Sequence, residues 1–195
     1  MAETKNNPAN DLLKKEILNI ALEIFVRDGY FSTTGAMIAG EVGISEEKLF
    51  SLFKTKENLL HTIVAEAVHL IFDGVDPNQD GKLQEVELLF FINDYFDSVE
   101  KNLDFFRLFY SLRLQPGVVD QYKHELHEIV SPKLNIIRKY FSKEGTENPK
   151  METRFLASML DGIAMNFVLE PDGYPIDEMQ QKVLNMYIKK TEYED

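Results

Sequence analysis

Cysteine is absent from the 195 residues. Disulfides, thiol nucleophiles and thiolate metal sites are therefore excluded, and a reducing compartment is compatible. The start of the chain has no apolar signal segment, and no uninterrupted apolar run approaches the roughly 20 residues of a membrane span. A cytoplasmic protein with no membrane partner is the expectation. Net positive charge is lacking too: the formal charge is −12. Residues 1–10 are neutral, residues 11–60 hold six Lys/Arg against eight Asp/Glu, and the remaining −10 follows Leu60. Such acidity argues against membrane-surface binding and against non-specific coating of DNA. Walker loops, Gly-rich dinucleotide turns and nucleophile elbows are missing. Carboxylate pairs are too plentiful in so acidic a chain to mark a catalytic site. No catalytic set emerges, and the chain is read as not an enzyme.

What is present is helical periodicity in a chain 44% hydrophobic, ample for a globular core. From Asp11, a helix of roughly 17 residues aligns Leu13, Ile17, Ile20, Ala21, Ile24 and Phe25 on one face and should stop at Asp28-Gly29. Thr33 and Thr34 supply capping hydroxyls for a short helix with Met37, Ile38 and Val42 on one face. Gly43 suits the left-handed C-cap that ends it. Ser45 caps the next helix, where Leu49, Leu52 and Phe53 face inward. Thr55 then caps a long helix opening at Lys56. Two short helices around a glycine turn form a helix-turn-helix, and the second is the size that enters a DNA major groove.

The run from Lys15 to Leu60 resembles the DNA-binding domain of the TetR family of bacterial repressors. The matching marks include Ile17, Ala21, Phe25, Gly29-Tyr30, Thr33-Thr34, Ile38-Ala39, Gly43-Ile44-Ser45, Leu49-Phe50, Phe53 and Lys56-Glu57. The resemblance implies an all-α homodimer, with a helix-turn-helix domain over 11–56 and a larger ligand-binding and dimerisation domain over 57–195, about nine helices in all. Its partners would be a double-stranded DNA operator and a small-molecule effector. Thr33, Thr34, Ser45, Lys48, Phe50 and Lys56 are the residues it places at DNA. Glu47 and Lys48 stand where the family has glycine and a small hydroxyl residue, and Phe50 stands for a tyrosine whose phenol can bond a phosphate.

The helix from Lys56 carries a wide apolar stripe from Leu59 to Phe72, as a connector buried between two domains needs, and runs to about Val75. Next, the stretch from Asp76 to Glu87 resembles an EF-hand calcium loop. Asp76, Asn78 and Asp80 occupy positions one, three and five. Gly81 is at six, the Lys82 carbonyl at seven, Gln84 at nine and Glu87 at twelve. These oxygen donors suit Ca2+ rather than zinc. The other reading is a polar turn between two helices.

A helix from Leu83 or Gln84 to about Lys101 follows. Asn102 is expected to cap the next helix, which is apolar nearly all round. Another helix runs from about Val118 to Lys143, with a kink expected at Pro132. The last two span about 150–169 and 176–190, and from their spacing they serve equally well as core or as a four-helix dimer interface. Phe105, Phe106, Phe109 and Tyr110, with His127, Phe155, Met159 and Phe167, are candidates to line an apolar ligand pocket. His124 and His127, three apart, are open to a shared metal, a polar face or that pocket. The combined reading is a ligand-responsive repressor. An alternative is a calcium-binding or interaction module on the same scaffold with weak or lost DNA binding.

Overall fold

A computed structural model describes residues 8–113 and 118–188, with side chains described except at 8, 9, 70, 73 and 118–125. The described residues hold nine α-helices and one short 3-10 turn joined by loops, and no strand occurs among them. The helices are α1 (Pro8–Asp28), α2 (Gly35–Val42), α3 (Glu46–Phe53), α4 (Lys56–Phe72), α5 (Glu85–Lys101), α6 (Leu103–Arg113), α7 (Val118–Lys143), α8 (Pro149–Leu169) and α9 (Ile176–Tyr187). The 3-10 turn, Asp73–Val75, prolongs α4.

The all-α class and the number of helices follow the apolar spacing. Ile17, Leu18, Ala21, Ile24 and Phe25 are the buried face of α1. The helix ends at Gly29, whose φ of 84° is open to glycine without a Cβ penalty. On α4, Leu59, Leu60, Ile63, Val64, Val68 and Ile71 are all buried, and the helix packs against α1 and α3 on one side and α5 and α7 on the other. Its stripe is wide because it serves both groups of helices. Pro132 lies inside α7, and both ring and helix are accommodated without an interruption of the element.

Helix α5 is amphipathic, with Leu88, Phe91, Ile92, Tyr95, Phe96 and Val99 buried. Phe96 is fully enclosed, and truncating such a side chain costs about 3–5 kcal/mol. Asn102 does not cap α6. Its amide nitrogen donates to the Ser98 carbonyl at 2.9 Å, so the side chain closes α5 rather than opening α6. Helix α6 touches α1, α7 and α8, and α8 touches α7, α5 and α9. The apolar core runs unbroken from α1 to α9. No described helix is long and apolar enough to cross a membrane.

Candidate DNA-reading unit and effector cavity

The helix-turn-helix is set by local hydrogen bonds. Thr34, in extended backbone, accepts the Met37 N–H at 3.2 Å and starts α2. Gly43, at φ 77°, ends it, and the next amide, Ile44, closes on the Ala39 carbonyl at 2.9 Å. Two residues on, the Ser45 hydroxyl accepts the Lys48 N–H at 3.1 Å and starts α3. Each such cap is worth about 1 kcal/mol. Thr33 departs from expectation. It is buried, and its hydroxyl donates to the Gly29 carbonyl at 2.9 Å. That bond folds the turn between α1 and α2, so Thr33 neither caps α2 nor faces outward.

Phe50 is half-buried, and its ring lies over Gly35, where any Cβ would clash with it. It spaces α3 from the start of α2. Lys48 is also half-buried, while Glu46 and Glu47 are exposed on the first turn of α3. Their carboxylates suit the positive helix N-terminus.

Lys56 is half-buried and tied to the protein's own backbone. Its Nζ donates to the carbonyls of Tyr30 at 2.9 Å and Thr33 at 2.8 Å, and it lies 4.5 Å from the centre of the Tyr30 ring. The connector helix thus grips the turn ahead of α2. The sequence marks Lys56 for DNA; the fold ties its ammonium to two carbonyls 23 and 26 residues earlier. One residue before α4's cap, Lys54 has φ 64° and ψ −53°, and the Thr55 N–H reaches the Phe53 carbonyl at 2.8 Å. This is a γ-turn of the rare, strained hand. It turns the chain sharply from α3 into α4.

A cavity of about 370 Å³ lies among α4, α5, α6, α7 and α8. Its walls are mainly apolar: Phe105, Phe106 and Phe109 of α6, Ile71 and Phe72 of α4, and Leu156 of α8 contribute. Tyr110 lines it too. His127, Phe155, Met159 and Phe167 are not among its walls. The reason is helical phase. Leu126 and Val130 turn α7's inner face to the cavity, leaving His127 exposed against Ser131 Oγ at 2.9 Å. On α8, Leu156 and Leu160 point in, so Phe155 is exposed and Met159 half-buried. Phe167 is buried farther along. His124 lies outside the described side chains.

One rim of the cavity is polar. Arg113 Nη1 lies 2.7 Å from both carboxylate oxygens of Asp161. The Tyr110 hydroxyl donates to the Asp161 carbonyl at 3.1 Å, with Asp161 Oδ1 at 3.2 Å. Burial first, then the Asp161 charge, pushes the Tyr110 phenol well above its usual pKa, so it stays protonated. Tyr95, more deeply buried, is shifted the same way, again mainly by burial. The sequence reading missed Arg113 and Asp161. They are 48 residues apart, and only helix packing brings them together.

Residues 17–63 match the family model described as bacterial regulatory proteins, tetR family. Over that segment the chain is similar to the TetR family. Solved structures of the same fold extend the likeness to most of the chain. FadR from Bacillus subtilis, in complex with stearoyl-CoA, is 16% identical with a TM-score of 0.74, covering 90% of this chain and 97% of that one. A putative tetR family transcription regulator from Shewanella sp. PV-4 is 19% identical with a TM-score of 0.69, covering 90% and 95%. The TetR family regulator PfmR from Thermus thermophilus is 21% identical with a TM-score of 0.68, covering 90% and 98%. No curated protein matches the chain in sequence. The matched segment spans most of α1, both helices of the helix-turn-helix and the first turns of α4.

The loop after α4 lies outside the family match. Asp76 is buried, and its carboxylate accepts the N–H groups of Asp80 and Gly81, both at 3.1 Å. Asp80 Oδ1 accepts the Lys82 N–H at 2.8 Å. Asn78 Nδ2 donates to Glu87 Oε1 at 3.2 Å, which closes the two ends of the loop. Glu87 also accepts the Gln84 N–H at 2.8 Å, completing a capping box at the start of α5. Gly81, at φ 71°, makes the sharp turn. The Lys82 side chain is exposed. Among the described residues, no three His, Asp or Glu side chains converge as a ready metal cluster.

Proposed function

We propose that this TetR-type protein is a cytoplasmic, homodimeric repressor that leaves its operator when a small molecule enters the cavity. The observation that carries the reading is shared helices. Helices α4 and α6 both wall the cavity, and both pack on the DNA-reading unit, α4 on α1 and α3, α6 on α1. A ligand that parts α6 from α4 must move one of them against α1. Lys56 carries motion of α4 into the turn before α2. The stearoyl-CoA held by the B. subtilis FadR supports an apolar, chain-like effector. The protein acts by binding, with no catalytic step.

Dimerisation runs through α8 and α9. Met151, Phe155, Met165 and Leu169 of α8 and Met186 of α9 are exposed, and an apolar patch of that kind is normally covered. Two α3 helices would then enter successive major grooves, about 34–36 Å apart. Ser45 and Thr34, at the helix starts, would contact phosphates, and Lys48, the cation of α3, would lie at the DNA. The test is binding to a palindrome upstream of the protein's own gene across a salt series. The expected result is an affinity that falls steeply with salt and is lost when the cavity is filled. Absence of any salt-dependent binding would favour an interaction module with DNA reading lost, as the exposed Glu46 and Glu47 of α3 would allow.

We further propose that the loop from Asp76 to Glu87 closes on one Ca2+. The Asn78 to Glu87 bond supports this, because positions three and twelve already meet. Asp76, Asn78, Asp80, the Lys82 carbonyl and Glu87 would be the ligands. The role is structural: the ion would fix the angle between α4 and α5. Calorimetric titration should give one Ca2+ per chain and a higher melting temperature, both lost in Glu87→Gln. No heat and no melting shift at millimolar calcium would leave the loop a polar turn.

A further inference from the structure

Arg113, Asp161, Tyr110 and Thr153 on the cavity wall all bond to the protein itself. Arg113 is the one cation among the described lining residues, and Asp161 neutralises it at contact distance through both carboxylate oxygens. The Tyr110 hydroxyl is directed at Asp161. Thr153 donates its hydroxyl to the Pro149 carbonyl at 2.8 Å. What is left for a ligand is an aromatic and aliphatic surface, the Ser158 hydroxyl, and a self-paired ion pair at one rim.

We propose that the effector is an apolar molecule with an uncharged polar end, of the class of long-chain alcohols, ketones, esters or thioesters, and that the Arg113–Asp161 pair rejects the matching carboxylate. The inference rests on reading this cavity as the effector site. A guanidinium that is free binds a carboxylate through two parallel hydrogen bonds and would select an acid. Here that guanidinium already has a carboxylate. At this half-exposed rim an entering anion would give up part of its water for a cation already neutralised, and would lie beside the like charge of Asp161. A hydroxyl or carbonyl loses far less on leaving water. It finds a partner in the second lone pairs of Asp161, or in the remaining N–H groups of Arg113 without bringing a second negative charge beside Asp161.

Tyr110 strengthens the filter. Its hydroxyl holds Asp161 from the α6 side, so the carboxylate is not free to swing away and release Arg113. The Arg113 guanidinium, 5.8 Å from the Phe109 ring, is steadied as well. The pair also joins α6 to α8 across the cavity mouth. Specificity therefore comes from a charge that is absent to the ligand rather than from one that attracts it.

The experiment displaces N-phenyl-1-naphthylamine, a neutral apolar fluorophore, from the full chain with dodecanol or with dodecanoate, well above the pKa of the free acid. In the wild type, dodecanol should displace the probe at a concentration at least about tenfold lower than dodecanoate. Asp161→Asn keeps the side-chain volume and frees Arg113. Dodecanoate should then gain about tenfold or more while dodecanol changes little. Adding Arg113→Gln to Asp161→Asn should abolish that gain. Equal displacement by acid and alcohol in the wild type overturns the proposal, whether or not the variants fold. So does a folded Asp161→Asn protein with no gain for dodecanoate. A wild type that binds no probe at all sinks the effector-cavity reading itself, and this inference with it.

Discussion

The two ends of α4 are held by opposite charges. At the N-terminal end a cation, Lys56, reaches back to two carbonyls of the turn before α2. At the C-terminal end an anion, Asp76, reaches forward to two amides of the loop before α5. Both groups satisfy backbone atoms that no helix or sheet partner would satisfy. The difference lies in span. Lys56 ties α4 to atoms 23 and 26 residues away, whereas Asp76 binds residues four and five ahead. The N-terminal contact is tertiary and couples α4 to the turn between α1 and α2. The C-terminal one is local and shapes its own loop. Under the proposed function, a connector tied over a long span at one end and locally at the other is suited to carry motion toward the helix-turn-helix.

Breaking the tertiary end should have the largest effect. Lys56→Met removes two charge-assisted bonds and leaves two part-buried carbonyls without that partner. A loss of about 2–3 kcal/mol is expected by chemical denaturation. The salt slope of operator binding should not change, because the ammonium faces carbonyls. A slope lower by about 0.9 would instead identify Lys56 as a phosphate contact.

The local end gives the next prediction. Asp76→Ala removes the acceptor of the Gly81 amide and leaves the Asp80 amide only Asn78 Oδ1, at 3.2 Å, and about 1–2 kcal/mol should be lost in calcium-free buffer. An unchanged melting curve would mean that the loop does not need this carboxylate. Milder still is Ser45→Ala. It removes only the α3 cap, at about 1 kcal/mol, and the midpoint of unfolding measures it. The smallest effect runs the other way. Lys54→Gly relieves a strained positive φ and should be neutral to stabilising, by up to about 1 kcal/mol. If that variant loses as much as Lys56→Met, the Lys54 side chain has a role that its backbone does not reveal.

Local patterns were legible in the sequence because their causes are local. Thr34, Gly43 and Ser45 mark the helix boundaries of the helix-turn-helix, since capping and left-handed turns depend on residues within four positions. The apolar stripes of α4 and α5 are just as plain. The TetR resemblance lies in this same stretch, which agrees with the matched segment, 17–63.

Other roles were assigned by residue type and reassigned by packing. Thr33 is a hydroxyl at a cap-like position, yet the turn at Gly29 claims it. Asn102 resembles a cap, but its amide closes the preceding helix. Phe155 and Phe167 are apolar like the cavity walls, though their helical phase turns them elsewhere.

Helical periodicity, the stops at Gly29 and Gly43, and the all-α class were determined by the sequence alone, because each arises from interactions along one segment. Only the tertiary structure decided where Lys56 points, which aromatics wall the cavity, and that Arg113 meets Asp161. Those outcomes depend on the relative rotation and separation of helices distant in the chain. Such quantities follow from the packing of the whole core and are not written in any single stretch of residues.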